Sequence, residues 1–412
     1  MINRGRGDIR RLAAASAISG TGDWAASTAL ALAVYAKTGS AVWLSVSFLL
    51  TRLPSALVAP VSGIMADRLD RRRIMITCDL LGAVTYASMA VTSAPLPLIV
   101  LGSLAALLHA PFGPASRAAV PNLAGAADLS WANGTLSAAS NVGGLAGPAL
   151  GGVLYAVVGA GPAFWANAAS FVASAGCIAA IGGRFRAEAP PSSAGGESSS
   201  AGGESGVWAG VRFVWRHGTL LTLTAVGAIT FMATEIAAVA DLPLIHEFGV
   251  GGVGYGILNV VWGVGALIGS LVAARVVTSR SEPAAAVLGC LVFGVFVAAV
   301  GLSPWFALVP LFSLLFAFSD AFAFVGFNGI YQRRTPDAIR GRVFAAVGAV
   351  MTLATAVGFG FAGFLVDAVS WRPVYLGGGL VDVACAVALA LSLRWAPWRR
   401  AEPGPVPRAT GP

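Results

Sequence analysis

Residues 134–152 read GTLSAASNVGGLAGPALGG, on what reads as a membrane-spanning helix. Gly143, Gly147 and Gly151 recur every four residues, so they fall on one helix face. Glycines in that pattern let a neighbouring helix approach to backbone contact. Pro148 removes a backbone donor within the same face and invites a bend. Two glycines four apart indicate helix packing and no more. The full string, with Gly134 ahead and Gly147-Pro148 and Gly151-Gly152 in register, is much rarer.

Composition places the whole chain in a bilayer. Hydrophobic residues make up 57% of it and charged residues 11%, with a mean hydropathy of +0.80. Soluble proteins carry about 25% charged residues. A bilayer crossing needs about 20 apolar residues. Twelve stretches qualify, at 12–35, 41–66, 74–93, 96–117, 131–158, 161–183, 218–242, 253–277, 284–302, 305–331, 338–368 and 372–394. The expected fold class is therefore all-α and polytopic, with twelve transmembrane helices. The first stretch has nothing like a cleavage site after it and reads as a helix, not a removed signal peptide.

Charge placement orients the chain. All lysines and arginines except Lys37, Arg52 and Arg372 fall in the termini and in alternate loops, Arg68, Arg71, Arg72 and Arg73 among them. The positive-inside rule then puts both termini in the cytoplasm of a cell membrane, as an even helix count requires. The net charge of +8 reflects topology and contact with anionic lipid. It is no nucleic-acid footprint, because the basic residues are shared among many short loops.

The chain divides in the middle. Residues 187–206 are Ser/Gly/Pro-rich, as in a flexible linker. In 207–216 aromatics alternate with arginines, as in a short helix on the membrane surface. The expected units are an N-terminal six-helix bundle at 1–183, a cytoplasmic linker with its surface helix at 184–217, a C-terminal six-helix bundle at 218–395 and a cytoplasmic tail at 396–412. The halves also echo each other. Arg117-Ala118-Ala119-Val120-Pro121 precedes one long Gly-rich helix, and Gln332-Arg333-Arg334-Thr335-Pro336-Asp337 precedes another, with Gly360 and Gly363 near the positions of Gly147 and Gly151. Repeated halves of this kind rock about a site near the bilayer midplane.

With the glycine string and the repeat in hand, the chain resembles the major facilitator superfamily, whose fifth-helix antiporter motif matches Gly134, Gly143, Gly147, Pro148, Gly151 and Gly152. A second match is Gly63-Ile64-Met65-Ala66-Asp67-Arg68-Leu69-Asp70-Arg71-Arg72-Arg73, between helices two and three. It is similar to the superfamily's loop signature, and the resemblance makes Gly63, Asp67, Arg68, Arg71 and Arg72 conformational gating residues. It also implies that Asp67 meets the N-terminus of the eleventh helix in one state of the access cycle. That helix is expected to begin at Thr335-Pro336-Asp337, where a carboxylate is stabilised by about 0.3–1 kcal/mol. Gly22-Asp23-Trp24, Tyr35-x-x-Thr38-Gly39-Ser40 and Arg340-Gly341-Arg342-Val343 narrow the likeness to the branch of siderophore and macrolide exporters.

Acids within the membrane are the candidates for proton coupling, since each costs about 2.5–3.5 kcal/mol to insert. Asp23 follows Arg11 by twelve residues and Arg52 precedes Asp67 by fifteen. At 1.5 Å per residue both lie roughly 18–22 Å from the cytoplasmic face, so an Asp23–Arg52 ion pair is expected. A permanent salt bridge between the two helices is as reasonable a reading as a role in transport. Glu235 and Asp320 have no base nearby in sequence, and burial favours a neutral carboxyl. The resemblance lines the central cavity with helices one, four, seven and ten, which adds His109, although a packing hydrogen bond is the commoner role for such a histidine. Trp24, Phe231, Phe316 and Phe324 are the aromatic candidates for a lipophilic substrate, against the usual reading of membrane Phe as lipid-facing or packed. Asp79 and Asp382, on peripheral helices, read as structural, with the loop arginines as possible partners of Asp79.

Other apparent motifs fall away. Gly249-x-Gly251-x-x-Gly254 has dinucleotide spacing but follows no strand. The four cysteines are isolated and the three histidines scattered, so no metal, disulfide or cofactor is expected. Asn133-Gly134-Thr135 fits a glycosylation acceptor but lies on the cytoplasmic side. The chain reads as no enzyme, and it has no ATP site. The expectation is a monomeric secondary exporter that moves a lipophilic small molecule out by alternating access as protons flow in. The alternatives are a facilitator or importer on the same fold, and a transport-inactive receptor or assembly subunit.

Overall fold

The computed structural model describes residues 2–125, 128–183, 185 and 206–395. Arg184, Arg186, the linker at 187–205 and the tail at 396–412 lie outside them. Every regular element among the described residues is helical. In chain order these are α1 (Ile2–Thr38), α2 (Ala41–Arg68), α3 (Arg71–Ala90), α4 (Pro95–His109), α5 (Phe112–Ala124), α6 (Leu129–Val158), α7 (Ala160–Ala179) and α8 (Gly206–Arg216). There follow α9 (Gly218–Glu247), α10 (Gly251–Val276), α11 (Glu282–Gly301), α12 (Leu308–Arg334), α13 (Arg340–Val369) and α14 (Trp371–Trp395).

With α4 and α5 taken as one path and α8 set aside, these make twelve membrane segments in two sets of six. Nine of them are long and apolar enough to cross on that ground alone. The other three, α1, α3 and α7, are richer in polar or small residues and pack against neighbours that do qualify. Lipid tails give no hydrophobic drive for helices to associate, so close packing at small residues carries the bundle.

Three boundaries differ from the sequence reading. α1 starts at Ile2, ten residues before the expected 12. Its extension is tied down by Arg6 to Asp128 at 2.8 Å and by Asp8, which accepts from Arg11 at 3.0 Å and from the Gly182 N–H at 3.3 Å. The fourth segment is broken between His109 and Phe112, because Pro111 has no N–H to continue α4. The eleventh segment becomes α-helical only at Arg340. Asp337–Ile339 form a single 3₁₀ turn, and the Asp337 carboxylate is bound to Arg340 instead of capping the helix.

The glycine string acts as its spacing requires. A Cβ on Gly143 would lie 3.0 Å from the Thr21 nitrogen of α1, one on Gly147 2.7 Å from the Thr21 carbonyl oxygen, and one on Gly151 2.7 Å from the Ala25 Cα. Gly152 turns the other way, toward α10, where its Cβ would sit 3.1 Å from the Gly256 Cα. Thus α6 holds α1 of its own half and α10 of the other. The repeat holds too, since α13 packs on α9 of its own half and on α2 of the other. Gly363 meets α2 at the Ala41 carbonyl oxygen, 2.7 Å from a Cβ placed there. Gly360 and Gly134 face open space.

The seam between the halves is one-sided. Among the described residues, one buried cluster mixes the two halves, with Ala31 and Leu44 against Leu244, Val297, Phe359 and Trp371. It lies at the end of the bundle away from the arginine-rich loops. The clusters nearer those loops each belong to a single half.

Candidate functional site

Two cavities of about 370 Å³ each, one lined by the N-terminal half alone and one by both halves, share Thr51, Arg52 and Ser55 of α2 as a common wall. The first holds Asp23, Trp24, Tyr86 and His109, and the second holds Glu235, Phe231, Thr355 and Phe359. Arg52 is exposed to both, with its guanidinium 5.8 Å over the Phe359 ring. One cation therefore stands between two acids that belong to opposite halves.

The first cavity is built from α1 outward. Because α6 grips α1 at Thr21 and Ala25, Asp23 turns toward α7, where it accepts from the Asn167 amide at 3.2 Å. The Asn167 side-chain Oδ1 accepts in turn from the Ser170 hydroxyl at 2.9 Å. Gly22 makes this possible, since any Cβ there would collide with Asn167 and Ser170. Trp24 remains 45% exposed, facing the space. His109 sits at the α4 break, stacked on Phe112 at 4.7 Å and edge-on to Phe171 at 5.1 Å. Its Nε2 is 3.4 Å from Oδ1 of the fully buried Asp79, within ion-pair range but outside hydrogen-bond geometry.

The second cavity is simpler. Glu235 on α9 accepts from the Thr355 hydroxyl of α13 at 3.4 Å. Phe231, one turn earlier, is 46% exposed into the same space.

The loop between α2 and α3 is bound to its own half. The Asp70 carboxylate caps α3 by accepting from the Arg73 N–H at 3.0 Å. Arg71 donates to the Ala118 carbonyl at 2.8 Å and to that of Phe185 at 3.2 Å, and Arg72 donates to the Ala179 carbonyl. Gly63 meets nothing within 4 Å. Asp67 is exposed and makes no bond to the start of α13 among the described residues, and the buried cluster that the halves share lies at the other end of the seam.

A family model described as a transmembrane secretion effector matches residues 6–406. The chain belongs to that family. Among its relatives, the "Multidrug efflux pump Tap" of Mycolicibacterium fortuitum is 27% identical over 91% of this chain and 93% of its own. The "Uncharacterized MFS-type transporter YfiS" of Bacillus subtilis is 27% identical over 94% of this chain and 92% of its own. In fold, the chain is similar to the solved nucleoside transporter NupG, with a TM-score of 0.74 at 12% identity over 94% of this chain and all of that one. The major facilitator fold and the exporter branch named from the motifs are those of this family.

The structure gathers only some of the residues nominated from sequence. Asp23, Trp24, Arg52, His109, Phe231 and Glu235 line the two cavities. Asp320, Phe316 and Phe324 line neither. Helix α12 turns its small residues to α11, where a Cβ on Gly326 would lie 2.6 Å from the Ala286 nitrogen. Phe316 consequently packs on Phe293 at 5.4 Å, and Phe324 is left 67% exposed. The expected Asp23–Arg52 ion pair is also not formed in this conformation. Both groups face one cavity, but Asp23 is turned to Asn167 and Arg52 to Phe359. Asp79 meets His109 and not the loop arginines, of which Arg71 and Arg72 are occupied by carbonyls. Sequence reading missed Asn167, Tyr86, Phe48, Thr355 and Phe359. A lone Asn within an apolar helix was a usable sign for Asn167. The others look like ordinary packing until the helices are placed.

Proposed function

We propose that this protein exports lipophilic small molecules across the cytoplasmic membrane in exchange for protons. The observation that carries the reading is Arg52, set in the wall common to two cavities whose acids, Asp23 and Glu235, come from opposite halves. Trp24, Phe48, Phe231 and Phe359 give those cavities an aromatic surface, which suits an apolar ligand with a few polar groups. Relatives named as multidrug efflux pumps support export over import.

With the arginine-rich loops in the cytoplasm, the closed end of the seam faces outward and the cavities receive substrate from inside. Rocking the halves then opens the far end. Asp23 and Glu235 take up protons there, which changes the charge around Arg52 and weakens the hold on the substrate. On return, both acids lose their protons to the cytoplasm. The Asp23–Arg52 pair belongs to a stage of this cycle other than the conformation described here. Asp320 is kept as a third acid of the coupling set, remote from the cavities. The transporter works as a monomer, with lipid as its surroundings.

The test is efflux of a fluorescent dye from vesicles under an imposed pH gradient. Asp23→Asn, Glu235→Gln and Asp320→Asn combined should abolish the gradient-driven component. Unchanged gradient-driven efflux in that variant would contradict the coupling role.

A further inference from the structure

Helices α2 and α13 run antiparallel across the seam, each starting where the other ends. At the closed end, Asp367, two residues before the last residue of α13, reaches the start of α2. Its carboxylate accepts from the Ala41 N–H at 2.9 Å, from the Ser40 hydroxyl at 2.9 Å and from the Val42 N–H at 3.4 Å. The first N–H groups of a helix have no partner within it and carry a partial positive charge. A carboxylate from the other half is well matched to them. Ser40 already caps Val42 at 3.2 Å from its own side, so Asp367 adds a second, inter-half cap to the same turn. Gly363 and the Ser45 hydroxyl, which donates to the Phe359 carbonyl, bring the two helices close enough for it.

The other ends of the same two helices show the complementary arrangement, unsatisfied. α13 begins after Ile339, which offers no side-chain cap. Asp337 is engaged with Arg340, and the Thr335 hydroxyl is buried without a partner. Asp67, one residue before the end of α2, is exposed and bonded to nothing among the described residues.

We propose that Asp367 is a positioning residue for the outward step: it holds the far end shut by capping α2 across the seam, and as that end opens Asp67 takes up the reciprocal cap on α13, so the two helices exchange caps in each cycle. The proposal rests on the alternating-access reading above. The Asp67 contact is the one the motif resemblance implied, and the Asp367 contact is read from the geometry. A cap at only one end would favour one state permanently. Exchanging one for another of similar strength leaves the two states close in energy, as a carrier that must visit both requires.

The experiment reads state occupancy without transport. Ser45 of α2 lies buried against Phe359 of α13, only 3% exposed, and becomes reachable when that end opens. In a chain whose four cysteines are replaced by alanine, Ser45→Cys is labelled with a maleimide in leaky membranes, so that neither side is favoured. Asp367→Ala should raise the labelling rate about fivefold, the population change from one helix cap of ordinary strength. Asp367→Asn should raise it less, and Asp67→Ala should lower it below the parent. Should Asp367→Ala fail to insert, Asp367→Asn and Ser40→Ala report the same direction. An unchanged or slower rate in the Asp367 variants, or a rise with Asp67→Ala, overturns the proposal. Cap exchange and export fail separately. A parent that shows the labelling shifts but no dye efflux keeps the first and loses the second, and normal efflux without the shifts does the reverse.

Discussion

Asp23 and its neighbours form a small polar assembly whose parts depend on one another. Gly22 leaves room for Asn167 and Ser170, and Asn167 then fixes the carboxylate. Replacing Gly22 with Val should therefore lower the melting temperature of the detergent-solubilised protein by several degrees. Gly20→Ala, where a Cβ meets nothing within 4 Å, should leave it within a degree or two. Substrate contact is assigned in the same residue-by-residue way. Trp24→Ala and Phe231→Ala each remove a ring exposed to a cavity, and truncating such an anchor costs about 1 kcal/mol or more, a fivefold or greater rise in apparent KM. Phe316→Ala, whose ring packs on Phe293 and lines neither cavity, should leave KM alone in the same dye-efflux titration. Equal effects at all three positions would remove the cavity assignment.

Among the elements, α6 shows how much a glycine motif can specify by itself. Its glycines were readable as a packing face, and that face does seat α1 with hardly a Cβ to spare. A side chain at Gly147 would be forced into the Thr21 carbonyl and the Trp24 Cβ. Overpacking of this sort costs typically about 1–3 kcal/mol, so Gly147→Leu should lower both thermal stability and transport. Gly134→Ala, at the free end of the same motif, should be neutral or slightly stabilising, because glycine within a helix costs about 0.5–1 kcal/mol relative to alanine. Thermal melts of the two variants side by side decide it. What the sequence concealed at this scale was rotation about the helix axis. α12 carries a run of phenylalanines that periodicity alone leaves free to face any neighbour. The contact of Gly289 and Gly326 with the facing helix fixes that rotation, and Phe316 comes to pack on Phe293. The break before Phe112 was legible in principle at Pro111, but apolar sequence on both sides made one continuous span the natural reading.

At the scale of the molecule, composition, the linker and the echoed motifs were enough to give the helix number, the two halves and the repeat. The relation between the halves was not legible, because a transporter's sequence encodes more than one arrangement and a single structure holds one of them. Asp67 and the Asp23–Arg52 pair are the instructive cases. Spacing and motif bring each to its supposed partner, yet here Asp67 is exposed and Arg52 faces Phe359, since the seam is closed at only one end. Arg52 itself, open to both cavities, is where the two halves have a charge in common. Arg52→Gln should therefore abolish gradient-driven efflux more completely than either Asp23→Asn or Glu235→Gln alone, measured in the same vesicles. The most direct test of the central claim is dye movement in proteoliposomes under pH gradients of opposite sign and with none. Exchange for protons predicts concentration of dye on the side with the higher proton concentration, reversing when the gradient is reversed and collapsing to equilibration without it. Dye movement at one rate and to one endpoint under all three conditions would contradict it.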